Sequence, residues 1–240
     1  MKRVAIIQSS YLPWRGLFAA IAQCDCFVFL DSVQFTRRDW RTRNTIKTPQ
    51  GVHWLSVPVM QKGNFHSSID EVHIAEPNWW KTHLKSIELN YRRAHHFRES
   101  FPLVEQLFES VANTPTLSEM NQTMTMAICQ MLGIRSQFSR DVDLVPREVL
   151  VQMSPTDRLV KLAMATGASI YLSGPSAKNY LDEHEFNAMG MSVEWMKYSK
   201  FQEPYRQLWG AFVPSVSIVD TILNLGLEQT RELVLQRGAA

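Results

Sequence analysis

Two short apolar runs, Val4–Ile7 and Phe27–Leu30, are separated by one short amphipathic segment, Gly16–Gln23. Each run is too short for a buried helix and rich in branched or aromatic side chains, so each reads as a buried strand. Two such strands joined through a helix form a parallel βαβ unit with a right-handed crossover. The first run ends at Gln8 and the second at Asp31, and each then opens into a polar loop. Polar loops at the C-terminal ends of parallel strands are where open α/β sheets hold ligands.

The rest of the chain is consistent with that start. Val52–Val59 alternates and reads as a strand with Pro58 near its end, and Ile69–Ile74 alternates as a shorter one. Asn78–Arg93 carries Trp80, Leu84, Ile87 and Tyr91 at helical spacing, and Phe97–Val111 and Leu117–Leu132 repeat the pattern. Thr116 or Ser118 caps the last of these and Gly133 stops it. A second α/β stretch has strands at Arg135–Ser139, Ser169–Leu172 and Ser192–Met196, with a helix at Ser154–Thr166. Helices at Ser217–Asn224 and Leu227–Gln236 close the chain, with Gly226 between them and Ser217–Asp220 in the form of a capping box. The expected architecture is α/β: a Rossmann-like, mostly parallel sheet with a helical insertion. Residues 1–75 and 134–240 form its two halves, and residues 76–133 form the insertion.

A chain of 240 residues that is 45% hydrophobic can bury a sizeable core. A net charge of only +2 gives no case for DNA. The Lys2-Arg3 pair precedes too few apolar residues for a signal peptide, and no run suits a membrane span, so a cytoplasmic protein is expected. Cys24, Cys26 and Cys129 suit a reducing compartment, the first two as small apolar packers. His66, His73, His83, His95 and His96 fall in no metal-binding pattern.

The candidate chemistry concentrates in three loops. Gln8–Gly16 offers Gln8, Tyr11 and Trp14 for hydrogen bonding and stacking. The loop from Asp31 to Asn44 is the richest. Asp31 stands where a carboxylate can act as a base, Gln34 and Asn44 can donate, Trp40 can stack on a base or sugar, and Arg43 can clamp a phosphate or carboxylate. Lys47, beside a Thr48–Gly51 hairpin turn, can reach phosphate. Ser173, Gly174 and Ser176, between a strand and a helix, can present N–H and hydroxyl groups to an anion.

Gln8, Tyr11, Pro13-Trp14, Gly16, Phe18, the Asp-x-x-Gln-Phe of Asp31–Phe35, Trp40 and Arg43-Asn44 with Ile46 resemble the WbqC-like protein family. Trp54-Leu55, Pro58-Val59, Asn78, Trp80, Tyr171–Gly174, Tyr180-Leu181 and Pro214–Asp220 extend the resemblance over almost the whole chain. It implies a bacterial protein associated with O-antigen and lipopolysaccharide biosynthesis. The reaction implied is transfer of an aminoacyl group such as glycyl, or an acyl group, to a nucleotide-linked amino sugar. Asp31, Arg43 and Asn44 would then be catalytic, with Gln8, Tyr11, Trp14, Gln34, Trp40, Lys47, Ser173, Gly174 and Ser176 binding substrate. The partners are that sugar and an acyl or aminoacyl donor, and aromatics on the helices suit a homodimer.

The strand, Pro-x-x-Gly loop, helix and Asp-ended strand are also similar to the opening of HxGH-type nucleotidyltransferases and pantothenate synthetase. That likeness implies a nucleotidyltransferase or amide ligase using ATP and Mg²⁺. The loop Pro13–Phe18 carries Trp14, Arg15 and Gly16 where those enzymes place two His. A non-catalytic module that binds a nucleotide sugar is the third reading, and on the transferase reading no cofactor is required.

Overall fold

A computed structural model of the chain describes residues 1–60 and 67–235. Among these, five strands form one parallel sheet: β1 (Arg3–Ile7), β2 (Cys26–Phe29), β5 (Gln137–Arg140), β6 (Ile170–Ser173) and β7 (Ser192–Trp195). The order across the sheet is β5-β2-β1-β6-β7. The chain starts in the middle, winds outward through β2 to β5, then returns to β1 and winds the other way through β6 to β7. This is the doubly wound, Rossmann-like order, and its switch point lies between β1 and β6.

The strand period of two divides the core. Ala5, Phe27 and Phe29 face one side of the sheet, while Val4, Ile6, Cys26 and Val28 face the other. The first side is covered by α1 (Arg15–Ala22), α2 (Trp79–Tyr91), α3 (Phe97–Ser110), α4 (Leu117–Met131) and α9 (Ile218–Leu235), through Phe18, Ile87, Val104, Met124 and Ile222. The second is covered by α6 (Arg147–Leu150), α7 (Pro155–Ala165) and α8 (Glu183–Ala188), through Leu150, Leu162 and Phe186, with α5 (Asp141–Leu144) leading in. The helices from residue 79 to residue 131 thus share one continuous core with the sheet.

β3 (Arg43–Thr48) and β4 (Gly51–Ser56) form a separate antiparallel hairpin. Its turn depends on Gly51, whose φ of +110° suits only glycine. Sequence reading places Arg43 and Asn44 in a loop, but they begin β3. The strand expected at Ile69–Ile74 is a 3₁₀ turn, Ile69–Glu71, closed by a capping box between Ser68 and Glu71, with only isolated bridges beyond it. The buried face of α2 runs through Trp79, His83, Ile87 and Tyr91, so Trp79 rather than Trp80 enters the core. The C-terminal helices run as one element broken at Gly226, where φ is +77°. Gln236, expected at their end, lies outside the described residues, as does His66.

The three cysteines are buried and unbonded, and burial pushes the Cys24 thiol up to about 12. Among the described residues, no helix is long and apolar enough to cross a membrane.

Candidate functional site

The loop after β1 is bolted from below. The Ser9 N–H donates to Asp31 Oδ1 at 2.8 Å, and Asp31 Oδ2 accepts from Ser118 Oγ and from Gln122 Nε2 at 2.9 Å. Asp31 is therefore buried, at 2% exposure, with its oxygens occupied by α4 and by the β1 loop. Farther along the loop, Leu12 sits at a φ of +40°, unusual for a branched side chain. Asn44 Nδ2 holds it there by donating to the carbonyls of Tyr11 (3.1 Å) and Leu12 (2.8 Å). The Tyr11 hydroxyl meets His83 Nδ1 at 2.7 Å in the core. Burial pulls His83 down to about 4, so its ring is neutral; it donates to the Ser56 carbonyl and accepts from Tyr11. Trp14 then lies flat on Gly16. A methyl group there would fall 2.2 Å from the indole, so only glycine permits this packing.

Above these bolts, at the C-terminal ends of β1 and β6, a cleft of about 720 Å³ opens over the switch point. Gln8, Trp14, Ser173, Gly174 and Ser176 line it, as sequence reading places them at strand ends. Sequence reading did not single out Arg41, Arg158 or Tyr198, which also line it, alongside Tyr171 and Tyr180. Arg41 follows Asp39, whose carboxylate accepts the Arg41 N–H at 2.9 Å. Its Nε is buried with no hydrogen-bond partner. Arg158, in the first turns of α7, donates to the carbonyls of Leu150 (3.0 Å) and Met153 (3.2 Å). Two guanidinium groups, Arg158 held by those carbonyls and Arg41 with Nη1 3.7 Å from Asp39, stand here with aromatic walls and a polar Ser-Gly-Pro-Ser turn, a set of groups chemically suited to a ligand that is anionic at one point and flat elsewhere. Among the described residues that line this cleft there is no carboxylate, imidazole or amine.

A smaller chamber of about 300 Å³ adjoins it and shares Ile7, Trp14, Leu17 and Arg41 as walls. Trp40, Asn44, Ser10 and Ser215 line its far side.

Several expected contacts fall elsewhere. Arg43 turns away from both chambers, with its guanidinium over the Trp54 ring at 4.2 Å, and lines a hollow shared with Arg37, Arg38 and Glu76. Gln34 borders a separate hollow with Ser68 and Arg147. Tyr11 and Asp31 line none of these cavities.

Lys47 is buried and donates to the carbonyls of Gly210 and Ala211, and burial lowers its affinity for a proton. It stands near Asp220, which is fully buried and accepts from Tyr91 at 2.7 Å, from Gln207 at 2.9 Å and from Tyr205. The Asp220 carboxylate serves this cluster rather than the capping box, while the Ser217 Oγ still accepts the Val219 N–H. Among the described residues, no group of three or more His, Cys, Asp or Glu side chains is arranged to hold a metal ion.

Comparison with known proteins fits this arrangement into a lineage. The model of the WbqC-like protein family matches residues 8–232. An uncharacterized protein of Mycobacterium tuberculosis is 42% identical over 228 residues, covering 95% of this chain and 96% of that one. No solved structure matches the chain. The chain belongs to the WbqC-like protein family.

Proposed function

We propose that this member of the WbqC-like family binds a nucleotide-linked amino sugar in the switch-point cleft and transfers an aminoacyl or acyl group to its amine, in bacterial surface-polysaccharide biosynthesis. The observation that carries the reading is the pairing of Arg41 and Arg158 with the Ser173–Ser176 turn at the C-terminal ends of β1 and β6. A diphosphate placed there meets two guanidinium groups and a turn rich in N–H and hydroxyl donors. The aromatic walls, Trp14, Tyr180 and Tyr198, suit the base and ribose.

In the transfer step the sugar amine attacks the acyl carbonyl. The C–N bond forms, the bond to the donor breaks, and the departing group takes the proton released by nitrogen. The oxygen of the tetrahedral intermediate needs a donor, and the Arg41 guanidinium in the wall of both chambers can supply it. The Asp31 carboxylate serves by holding the Ser9 backbone beneath the cleft, and Asn44 by holding Leu12. The chemistry is then catalysis by positioning more than by proton transfer.

The absence of a carboxylate, imidazole or amine from the described lining favours a second reading, a module that binds the nucleotide sugar without turnover. Thermal shift against nucleotides, nucleotide-linked amino sugars and ATP with Mg²⁺ comes first, because a ligand raises the melting point by mass action. Mass spectrometry of the sugar incubated with acyl and aminoacyl donors comes second. A shift with amino sugars plus an acylated product supports the transferase. The shift without product under any donor supports the module. A shift confined to ATP with Mg²⁺ refutes both and returns the ATP-using enzyme.

A further inference from the structure

The smaller chamber has a feature that folding does not require. Trp40 is 47% exposed and Trp54 is 42% exposed, yet their rings pack together at 5.6 Å. Trp54 in turn carries the Arg43 guanidinium, 4.2 Å from its ring centre. Arg43 Nε is buried without a hydrogen-bond partner, so its contact with the indole is what positions it. The Trp40 backbone is fixed as well, since its carbonyl accepts the Tyr11 N–H at 2.9 Å. A half-exposed indole held this firmly, beside polar groups, marks a contact surface rather than leftover apolar area.

We infer that the smaller chamber takes the sugar ring of the substrate, with Trp40 as its platform and Arg43–Trp54 as the prop behind it; this rests on reading the main cleft as the diphosphate site. A pyranose has an apolar C–H face and a rim of hydroxyls. The indole of Trp40, with Trp14, Pro13 and Leu17, matches the face, and Ser10 and Ser215 match the rim. A chamber of about 300 Å³ is at the small end for ligand sites and suits one ring rather than a nucleotide. Because Arg41 lines both chambers, a molecule whose diphosphate lies in the cleft can place its sugar in the chamber and keep the same guanidinium between them. This gives Arg43 a positioning role in place of the phosphate clamp expected from its sequence neighbours.

The test is calorimetric binding of uridine, thymidine and guanosine diphosphates and of their amino-sugar conjugates, to the wild-type chain and to Trp40→Ala and Arg43→Gln. The wild-type protein is expected to bind the matching conjugate about tenfold more tightly than the bare diphosphate, the scale of one good aromatic contact. Trp40→Ala is expected to abolish that margin and leave the diphosphate affinity unchanged. Arg43→Gln, which removes only the prop, is expected to reduce it in part. Survival of the margin in Trp40→Ala, or an equal loss for both ligands, overturns the subsite. Diphosphate binding with no margin in the wild-type protein overturns the subsite alone. Failure of every diphosphate and conjugate to bind overturns the cleft reading and the subsite together.

Discussion

Asp31 follows an apolar strand directly, the position that most invites the role of a base, yet its carboxylate is enclosed by three donors from two elements. Asp31→Ala would leave the Ser9 N–H and the Ser118 O–H without an acceptor in the interior, while the Gln122 amide keeps only its bond to Ser118 Oγ at 2.8 Å. We expect a loss of about 3 kcal/mol in urea denaturation, the scale for breaking a buried charged network. An unchanged denaturation midpoint with lost turnover would restore Asp31 as a base. His83 gives a pH signature. Its folded value of about 4 lies below the ordinary 6.5, so the unfolded chain takes up this proton first as pH falls. Its contribution to stability is complete above pH 6.5 and declines toward pH 4, by about 3 kcal/mol in all. Burial raises Asp141 and Asp220, so the folded state binds their protons first and their effect has the opposite sign above the ordinary carboxylate range. Comparing His83→Gln with the wild-type protein by denaturation across pH 4–7 isolates the imidazole, and an unchanged slope would refute its assignment.

Helices and hairpins differ in how far sequence reveals them. The break in α9 is written in one residue, since Gly226 combines a φ of +77° with a close approach to His96, 2.8 Å from where a Cβ would stand. Gly226→Ala should therefore cost about 1–3 kcal/mol in strain and crowding, seen as a lower melting point, and an equal or higher one would mean the kink relaxes freely. The buried strands were legible because a parallel sheet with both faces covered demands short, unbroken apolar runs, as in Val4–Ile7 and Phe27–Phe29. β3 was not legible, because Arg43–Thr48 is polar and its burial comes from partners distant in sequence: Tyr11, Tyr91 and the 210–211 segment. The same limit explains the arginines. Four of them crowd residues 37–43 and Arg158 stands far off in sequence, and which of these reaches the cleft depends on where β3 begins and how α7 docks. Arg41 and Arg158 carry no local mark of that outcome, whereas Gln8 and Ser173 do, because each stands at the end of an apolar strand.

At the scale of the whole molecule, topology decides where a ligand belongs. A strand order that reverses between β1 and β6 leaves the loops on either side diverging, and the cleft is the space they vacate. Both halves of the chain supply its walls: Gln8, Trp14 and Arg41 from before the α2–α4 helices, Arg158 and Ser173–Ser176 from after them. A site assembled in this way is a property of the complete fold. The measurement that tests this most directly is a crystal structure of the protein soaked with a nucleotide-linked amino sugar that gives a thermal shift. The diphosphate is expected between the ends of β1 and β6, within hydrogen-bonding distance of Arg41, Arg158 and the Ser173–Ser176 turn. Ligand found instead in the hollow beside Arg37, Arg38 and Arg43, with the switch-point cleft empty, would contradict it.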